Sequence, residues 1–470
     1  MRAVETGVAA SLALLLAGCS LAPTYQVPVV QVPVAYEQPT AAAAQPALAQ
    51  DWWRAFNDPV LDQLQVQLRQ ANPNLALAVA HYDAARAAAG ETASARAPQV
   101  GFSTGPMRQR QSDDKPLRSA TQPAVYDSNA ATFSLSFDLD LWGRLRNAAA
   151  AGHARAQASS DDLAAARLSL SQQLTATYLQ LRNTEAQQAI LRDSIDDYQQ
   201  ALRLTQDRFQ GEIASELDVA RARHQLASAQ ADLDALQAHQ AMLRHALAEL
   251  VGAPASGFSV GAMAQAPTLP QVPADLPSAL LQQRPDIAAA ERRVFAANAG
   301  IGVARAAWFP QLSLTGLFGG QTSGSSALLD AGNRYWALGP LAALPVFDGG
   351  RRKAAKAEAY AEFDAASAQY RATVLAAIRQ VEDQLVQLYG LADQRGHEEE
   401  AVQAARRTEQ IARDRYAGGA VSYLDVVTAQ TDARQAQLGL QDIQSRQLQA
   451  SAALMAALGG GWSVAVDARD

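Results

Sequence analysis

Polar and apolar residues alternate without a break along Thr132-Phe133-Ser134-Leu135-Ser136-Phe137-Asp138-Leu139-Asp140-Leu141. A period of two predicts a strand with one apolar and one polar face. Phe133, Leu135, Phe137, Leu139 and Leu141 make the apolar face, and Asp138 and Asp140 sit on the polar one. Trp142 closes this strand, where an aromatic girdle would sit. A partner is expected over about 98–108, across a polar loop containing Asp113, Asp114 and Lys115. A second pair is expected over 310–320 and 335–347, and Pro340 and Pro345 interrupt the last strand. Proline has no N–H for a ladder, so that strand reads as an edge or a bend.

Elsewhere the period lengthens. From Arg144 to Arg208 the apolar positions are mostly alanine with spaced Leu163, Leu168, Leu170, Leu174, Leu179 and Leu181. Small residues with spaced leucines suit narrow coiled-coil seams rather than a broad core. As a helix this stretch would span about 98 Å at 1.5 Å per residue. Return helices are expected over Ser215 to Leu250 and Ser422 to Leu458.

The chain repeats itself. Arg208-Phe209-Gln210-Gly211-Glu212-Ile213-Ala214-Ser215-Glu216-Leu217-Asp218-Val219 returns as Arg415-Tyr416-Ala417-Gly418-Gly419-Ala420-Val421-Ser422-Tyr423-Leu424-Asp425-Val426, at an offset of 425 − 218 = 207. Pro73 pairs with Pro285 and Pro98 with Pro310, both at an offset of 212 (285 − 73 and 310 − 98). Proline favours the first turn of a helix and stops one from continuing. Each half therefore reads as helix, strand, strand, long helix, tip, helix, an internal duplication. The segments are a signal over 1–18, a tether and N-terminal segment over 19–71, and a first repeat over 72–252. A linker over 253–284, a second repeat over 285–458 and a tail over 459–470 follow.

Composition narrows the function classes. The sequence pI of about 5.5 shows no basic excess, so nucleic acid is not an expected partner. The only cysteine, Cys19, ends Leu16-Ala17-Gly18-Cys19 after an apolar run from Val8 to Leu16. That run is a secretory h-region, too short to span a bilayer. The tetrapeptide resembles a bacterial lipoprotein box, which implies cleavage before Cys19, a covalent lipid on it, and an outer-membrane address given Ser20. Pro23, Tyr25, Pro28, Pro33 and Pro39, then Ala41 to Ala44, read as an extended tether with no core of its own. His81, His153, His224, His239, His245 and His397 show no ligand spacing. No phosphate-binding loop is present either, so neither an enzyme nor a metal or other cofactor is expected.

Four strands of about 11 residues suit an outer-membrane barrel, yet four cannot close one, and an open edge in lipid leaves backbone groups unpaired. Two copies would give a side-chain-filled barrel and three a barrel with a lumen.

The lipobox, Trp52-Trp53 with Phe56, Asp58-Pro59, Asp140-Leu141-Trp142-Gly143-Arg144, both tips and Ala457-Leu458-Gly459-Gly460-Gly461-Trp462 resemble outer-membrane factors of the TolC family, in its NodT/OprM-like lipoprotein branch. The resemblance implies an α+β chain whose four strands contribute to a trimeric twelve-stranded outer-membrane barrel. That barrel would be continuous with a long periplasmic α-helical coiled-coil barrel. The implied function is the passive exit duct of a tripartite efflux pump for drugs or other small toxic compounds. The implied partners are a homotrimer, a periplasmic adaptor (membrane fusion protein), an inner-membrane transporter of RND, MFS or ABC type, and outer-membrane lipid. Two alternatives stand beside it, a duct for type I protein secretion and a structural coiled-coil lipoprotein without a pore.

Asp218 and Asp425 each follow a serine by three residues, the spacing of a capping box, and an acid suits the positive end of the helix dipole. The resemblance gives them a second reading, as a constriction at the periplasmic mouth, although Thr428 stands where some members have a further acid. Arg208, Gly211, Ser215, Leu217, Arg415, Gly418, Val421, Ser422 and Leu424 are the candidates for docking the adaptor. Gly211 and Gly418 are expected to supply the positive φ that ends each long helix. The cluster Arg351-Arg352-Lys353 fits either a lipid-headgroup contact or a solvated first helical turn.

Overall fold

The structure, a computed structural model, describes residues 20–38, 49–114, 116, 119, 121–262, 267–270, 272, 277–323, 328 and 330–462. The signal segment, Cys19, Pro39, Ala41 to Ala44, Lys115, parts of the linker and the end of the tail lie outside the described residues.

Each half has a short helix, then a proline-led helix, two strands and two long helices. The first has α1 (Pro59–Ala71), α2 (Pro73–Ser94), β1 (Gln99–Arg110), β2 (Val125–Asp138), α3 (Arg144–Gln210) and α4 (Glu216–Leu250). The second has the single turn α5 (Leu280–Gln283), then α6 (Pro285–Ala306), β3 (Gln311–Thr322), β4 (Arg334–Ala343), α7 (Arg351–Ala417) and α8 (Tyr423–Ala457). The duplication holds to the residue: α2 and α6 are both 22 residues, α3 and α7 both 67, and α4 and α8 both 35.

The repeats share their joints as well as their lengths. Gly252 and Gly459 follow the return helices with φ of 70° and 96°. A Cβ on Gly252 would meet the Ala71 carbonyl oxygen at 2.1 Å, and one on Gly459 the Gln283 carbonyl oxygen at 1.9 Å. Only glycine combines that φ with so close an approach. Beside them the residue ahead of each helix-opening proline reaches the same carbonyl: Asn72 Nδ2 donates to Leu250 O (2.7 Å) and Arg284 to Ala457 O (2.8 Å).

Two compact units run across the repeats, one drawing on 1–29, 81–160 and 289–371, the other on 30–80, 161–288 and 372–470. The second unit holds the largest core, where Trp52, Trp53, Phe56, Leu61, Leu64 and Leu68 bury against Leu174, Tyr178, Leu181, Leu247 and Met455. Asp58 organises it: Oδ1 caps α1 by accepting from Val60 N (2.9 Å), and Oδ2 accepts from the buried Tyr178 hydroxyl.

The first unit holds the sheet, antiparallel throughout in the order β1-β2-β3-β4. Pro106 and Pro340 fall on β1 and β4, the two edges, as a missing N–H requires. Two expectations need correcting. The alternating strand stops at Asp138, because Asp140 has a φ of 43° and turns its carboxylate to accept from Leu145 N and Arg146 N (2.9 Å each). It caps α3 rather than lining a strand face, and Trp142 beyond it stacks on Phe309 (4.6 Å) and donates to Pro310 O (2.8 Å). Likewise β4 ends at Ala343, leaving Val346 and Phe347 outside it.

The tether is extended but not without packing. Within the first unit Glu291, Asn298 and Arg305, seven residues apart on α6, grip it in turn. Glu291 accepts from the Tyr25 hydroxyl, Asn298 Nδ2 donates to Pro23 O (3.0 Å), and Arg305 donates to Leu21 O (3.2 Å). Ser20 adds a bond to Asn147 Oδ1 (3.0 Å). In the second unit Tyr36 is buried. Sequence reasoning missed this because the anchoring groups lie some 270 residues away in the chain.

Candidate functional site

The sheet separates two chemistries. Residues directly opposite each other in a ladder share a face, and the register runs Phe102↔Phe133, Phe133↔Phe318 and Phe318↔Trp336. These four aromatics form one row across all four strands, with Phe102 and Phe133 ring centroids 4.9 Å apart. Val100, Leu135, Gly316 and Leu338 form the next row on that face. The aromatics are 50–76% exposed within the single chain, an apolar surface that water would not favour. This row is an aromatic band across the sheet, and Trp142 lies beyond the end of β2.

The opposite face is mainly hydroxyl- and amide-bearing, with Gln99, Ser103, Gln109, Ser128, Thr132, Ser134, Ser136, Thr315, Gln321 and Tyr335, among which Met107, Leu317 and Leu341 are the large apolar residues. Its side chains bond across strands, Gln321 to Ser128 (2.9 Å), Gln109 to Tyr126, and Thr132 to Tyr335. Thr132 and Tyr335 lie on β2 and β4, on either side of Gly319. Any Cβ at 319 would lie 2.3 Å from Ala131 O. The sheet thus offers an apolar, aromatic face suited to lipid and a polar face suited to water.

Both tips, in the second unit, are closed by the same backbone turn. At the first, Ile213 N donates to Arg208 O (2.8 Å) and Glu212 N to Phe209 O (3.0 Å). At the second, Ala420 N donates to Arg415 O (2.8 Å) and Gly419 N to Tyr416 O (3.0 Å). This is the Schellman pattern, which places its left-handed residue after the helix. The left-handed residues are Glu212 (φ 57°) and Gly419 (φ 74°), not Gly211 and Gly418 as expected. The expectation was one residue early because α3 and α7 continue through Gln210 and Ala417.

Each return helix starts with the expected box. Asp218 Oδ2 accepts from Ser215 N (3.2 Å) and Oγ (2.7 Å), and Ser215 Oγ accepts from Asp218 N (3.2 Å). Asp425 Oδ2 accepts from Ser422 N (3.0 Å) and Oγ (2.7 Å). The Ser422 hydroxyl and N–H hold the exposed Asp425 carboxyl below the ordinary carboxylate range.

The tips are joined to each other through Arg208. Its guanidinium donates to Tyr416 O (2.8 Å) and Ala417 O (2.9 Å) and lies 4.5 Å from the Tyr416 ring centroid. Tyr416 and Tyr423, with ring centroids 5.4 Å apart, pack with Ala222 and Val426, and Val421 borders them. Burial pushes the Tyr423 hydroxyl up to about 12. Arg415, Gly211, Gly418, Ser215 and Ser422 are exposed, as are Leu217 (57%), Leu424 (47%) and Phe209 (44%). The two tyrosines were not singled out from the sequence; for Tyr416 the signal was its match to Phe209 between repeats, whereas Tyr423 aligns with Glu216 and had none.

Of the basic cluster, Arg352 is held by Asp348 (2.6 Å) and lies 5.1 Å from the Trp308 ring centroid, while Arg351 and Lys353 stay exposed. Among the described residues no group of His, Cys, Asp or Glu is placed to hold a metal ion.

Residues 64–253 and 276–460 match the outer membrane efflux protein family. The pyoverdine export outer membrane protein OpmQ of Pseudomonas putida is 35% identical over 96% of both chains. Outer membrane protein OprJ of Pseudomonas aeruginosa is 33% identical, over 98% of this chain and 97% of its own. The open-state MtrE outer membrane channel of Neisseria gonorrhoeae superposes with a TM-score of 0.84 at 27% identity, over 94% of this chain and 98% of that one. The chain therefore belongs to the outer membrane efflux protein family: it has the TolC-like α+β fold and is the outer-membrane channel component of an efflux system.

Proposed function

We propose that three copies of this chain build a passive exit duct, with twelve strands in the outer membrane and the long helices in the periplasm. The observation that carries this reading is the two-faced sheet whose edges, β1 and β4, have no strand partner among the described residues. Lipid cannot satisfy such edges, so another copy must. Twelve strands leave a lumen, where eight would fill with their own side chains. The polar face then lines the lumen and the aromatic row meets lipid. A pore-free coiled-coil lipoprotein would have no use for such a sheet.

Cys19 carries the lipid anchor, and the strap held by α6 ties that anchor to the sheet-bearing unit. The six tips of a trimer present exposed Leu217 and Leu424 to a periplasmic adaptor, which joins the duct to an inner-membrane transporter that supplies the energy. Asp218 and Asp425 ring the periplasmic mouth. The cargoes of relatives from Pseudomonas putida, pyoverdine for one and toluene for another, suggest small organic compounds as cargo here.

Protein extracted from outer membranes should migrate as a trimer unheated and as a monomer after boiling, and should give discrete conductance steps in a planar bilayer. A wholly helical circular dichroism spectrum with no conductance would sink the duct.

A further inference from the structure

The contact that joins the tips is made once per chain, although the chain carries the parts for it twice. Arg208 reaches the last carbonyls of α7, those of Tyr416 and Ala417, and stacks on Tyr416. A cation at the carbonyl end of a helix is well placed electrostatically. The duplication maps Arg208 onto Arg415, and maps Tyr416 and Ala417 back onto Phe209 and Gln210 (415 − 208 = 416 − 209 = 417 − 210 = 207). Both helix ends have the same turn geometry, so the second set of parts stands in the same local backbone.

The second set is not joined within the chain. Arg415 is exposed and, beyond the field it lends to Asp425, its guanidinium makes no hydrogen bond or ion pair among the described residues. The Phe209 carbonyl receives only the turn N–H of Glu212, and the Gln210 carbonyl receives nothing there. The Phe209 ring is 44% exposed, whereas its counterpart Tyr416 is 7% exposed. Glu212 and Glu216 add carboxylates to this tip that have no ion pair among the described residues. An open guanidinium on one tip and unused carbonyls, an open ring and acids on the other are chemically complementary.

We propose that Arg415 makes the same clasp between copies. Its guanidinium donates to the carbonyls of Phe209 and Gln210 of the partner subunit and lies over the ring of Phe209 of the partner subunit. The contact is head-to-tail, and the threefold rotation of the proposed trimer closes it into a ring. This rests on the trimeric reading above and moves Arg415 from docking an adaptor to joining subunits. Every junction between neighbouring tips would then be an arginine on helix-end carbonyls, alternately within a chain and between chains.

The test uses the full chain purified from outer membranes in detergent, whose only native cysteine is Cys19. Gln210→Cys combined with Arg415→Cys and treated with a short bismaleimide should give two- and three-chain bands on a denaturing gel. Neither single variant should do so. A protein that light scattering shows to be trimeric but that yields no such bands overturns the clasp and leaves the trimer standing. A monomer in detergent overturns both. A second measurement keeps the arginine, with a benzophenone amino acid at Phe209. Its crosslink should map to residues around Arg415 of another chain and fall roughly fivefold in Arg415→Ala, as the loss of about 1 kcal/mol would produce. A yield that Arg415→Ala does not change overturns the proposal.

Discussion

At the scale of the residue, the two tips differ most at the position that turns each chain back. Gly419 takes the left-handed conformation freely, whereas Glu212 adopts it with a φ of 57°. A left-handed conformation costs a non-glycine residue about 1–2 kcal/mol, and glycine returns part of that through the entropy of the unfolded chain. Glu212→Gly should therefore stabilise the first tip by about 0.5–1 kcal/mol, read as slower hydrogen exchange of Ile213 and Ala214. An unchanged or faster exchange would show that the strain is relieved elsewhere. The repeat made both turns legible, but their dihedrals depended on how far each helix ran.

Elements are held together here by side chains far apart in sequence. The strap is the clearest case, since Glu291, Asn298 and Arg305 meet Tyr25, Pro23 and Leu21 in order. Heptad spacing on α6 keeps the three on one helix face. Asn298→Ala with Arg305→Ala removes two bonds of about 1 kcal/mol each. Chymotryptic cleavage at Tyr25 should then accelerate about tenfold or more, if local opening limits it. Equal cleavage rates would mean that aromatic packing of Tyr25 on Phe295 (5.0 Å) holds the strap alone. In the sheet, alternation alone marks β2, yet the aromatic row emerges only from the register, which puts Phe102, Phe133, Phe318 and Trp336 side by side.

For the whole molecule, repeats and compact units divide the chain differently: each unit takes segments from both halves. A duplicated chain need not fold as two domains when its two halves complete one sheet. In the proposed trimer the capped acids keep their charge at the mouth of the duct, Asp218 with Arg221 3.8 Å away. Asp218→Ala with Asp425→Ala should reduce cation preference in single-channel recordings, and unchanged selectivity would remove these acids from the constriction. The lowered carboxyl of Asp425 fixes the sign of its pH dependence. Its charge, and the cap it makes, should persist as pH falls to its ordinary value of 3.8 and be lost below that. Selectivity that disappears well above that pH would point to another group.

Local periodicity by itself determined a great deal: the strand alternation, the alanine-rich long helices, the duplicated tips and the capping boxes. Each depends on neighbours a few residues apart, where backbone geometry sets which side chains share a face. Tertiary structure alone decided the rest. It ended β2 at Asp138 by turning Asp140 into a cap, seated the tether on α6, aligned the aromatic row, and committed Arg208 to the second tip. Most of these contacts join residues tens to hundreds of positions apart, and no local pattern encodes which distant partner a side chain will meet.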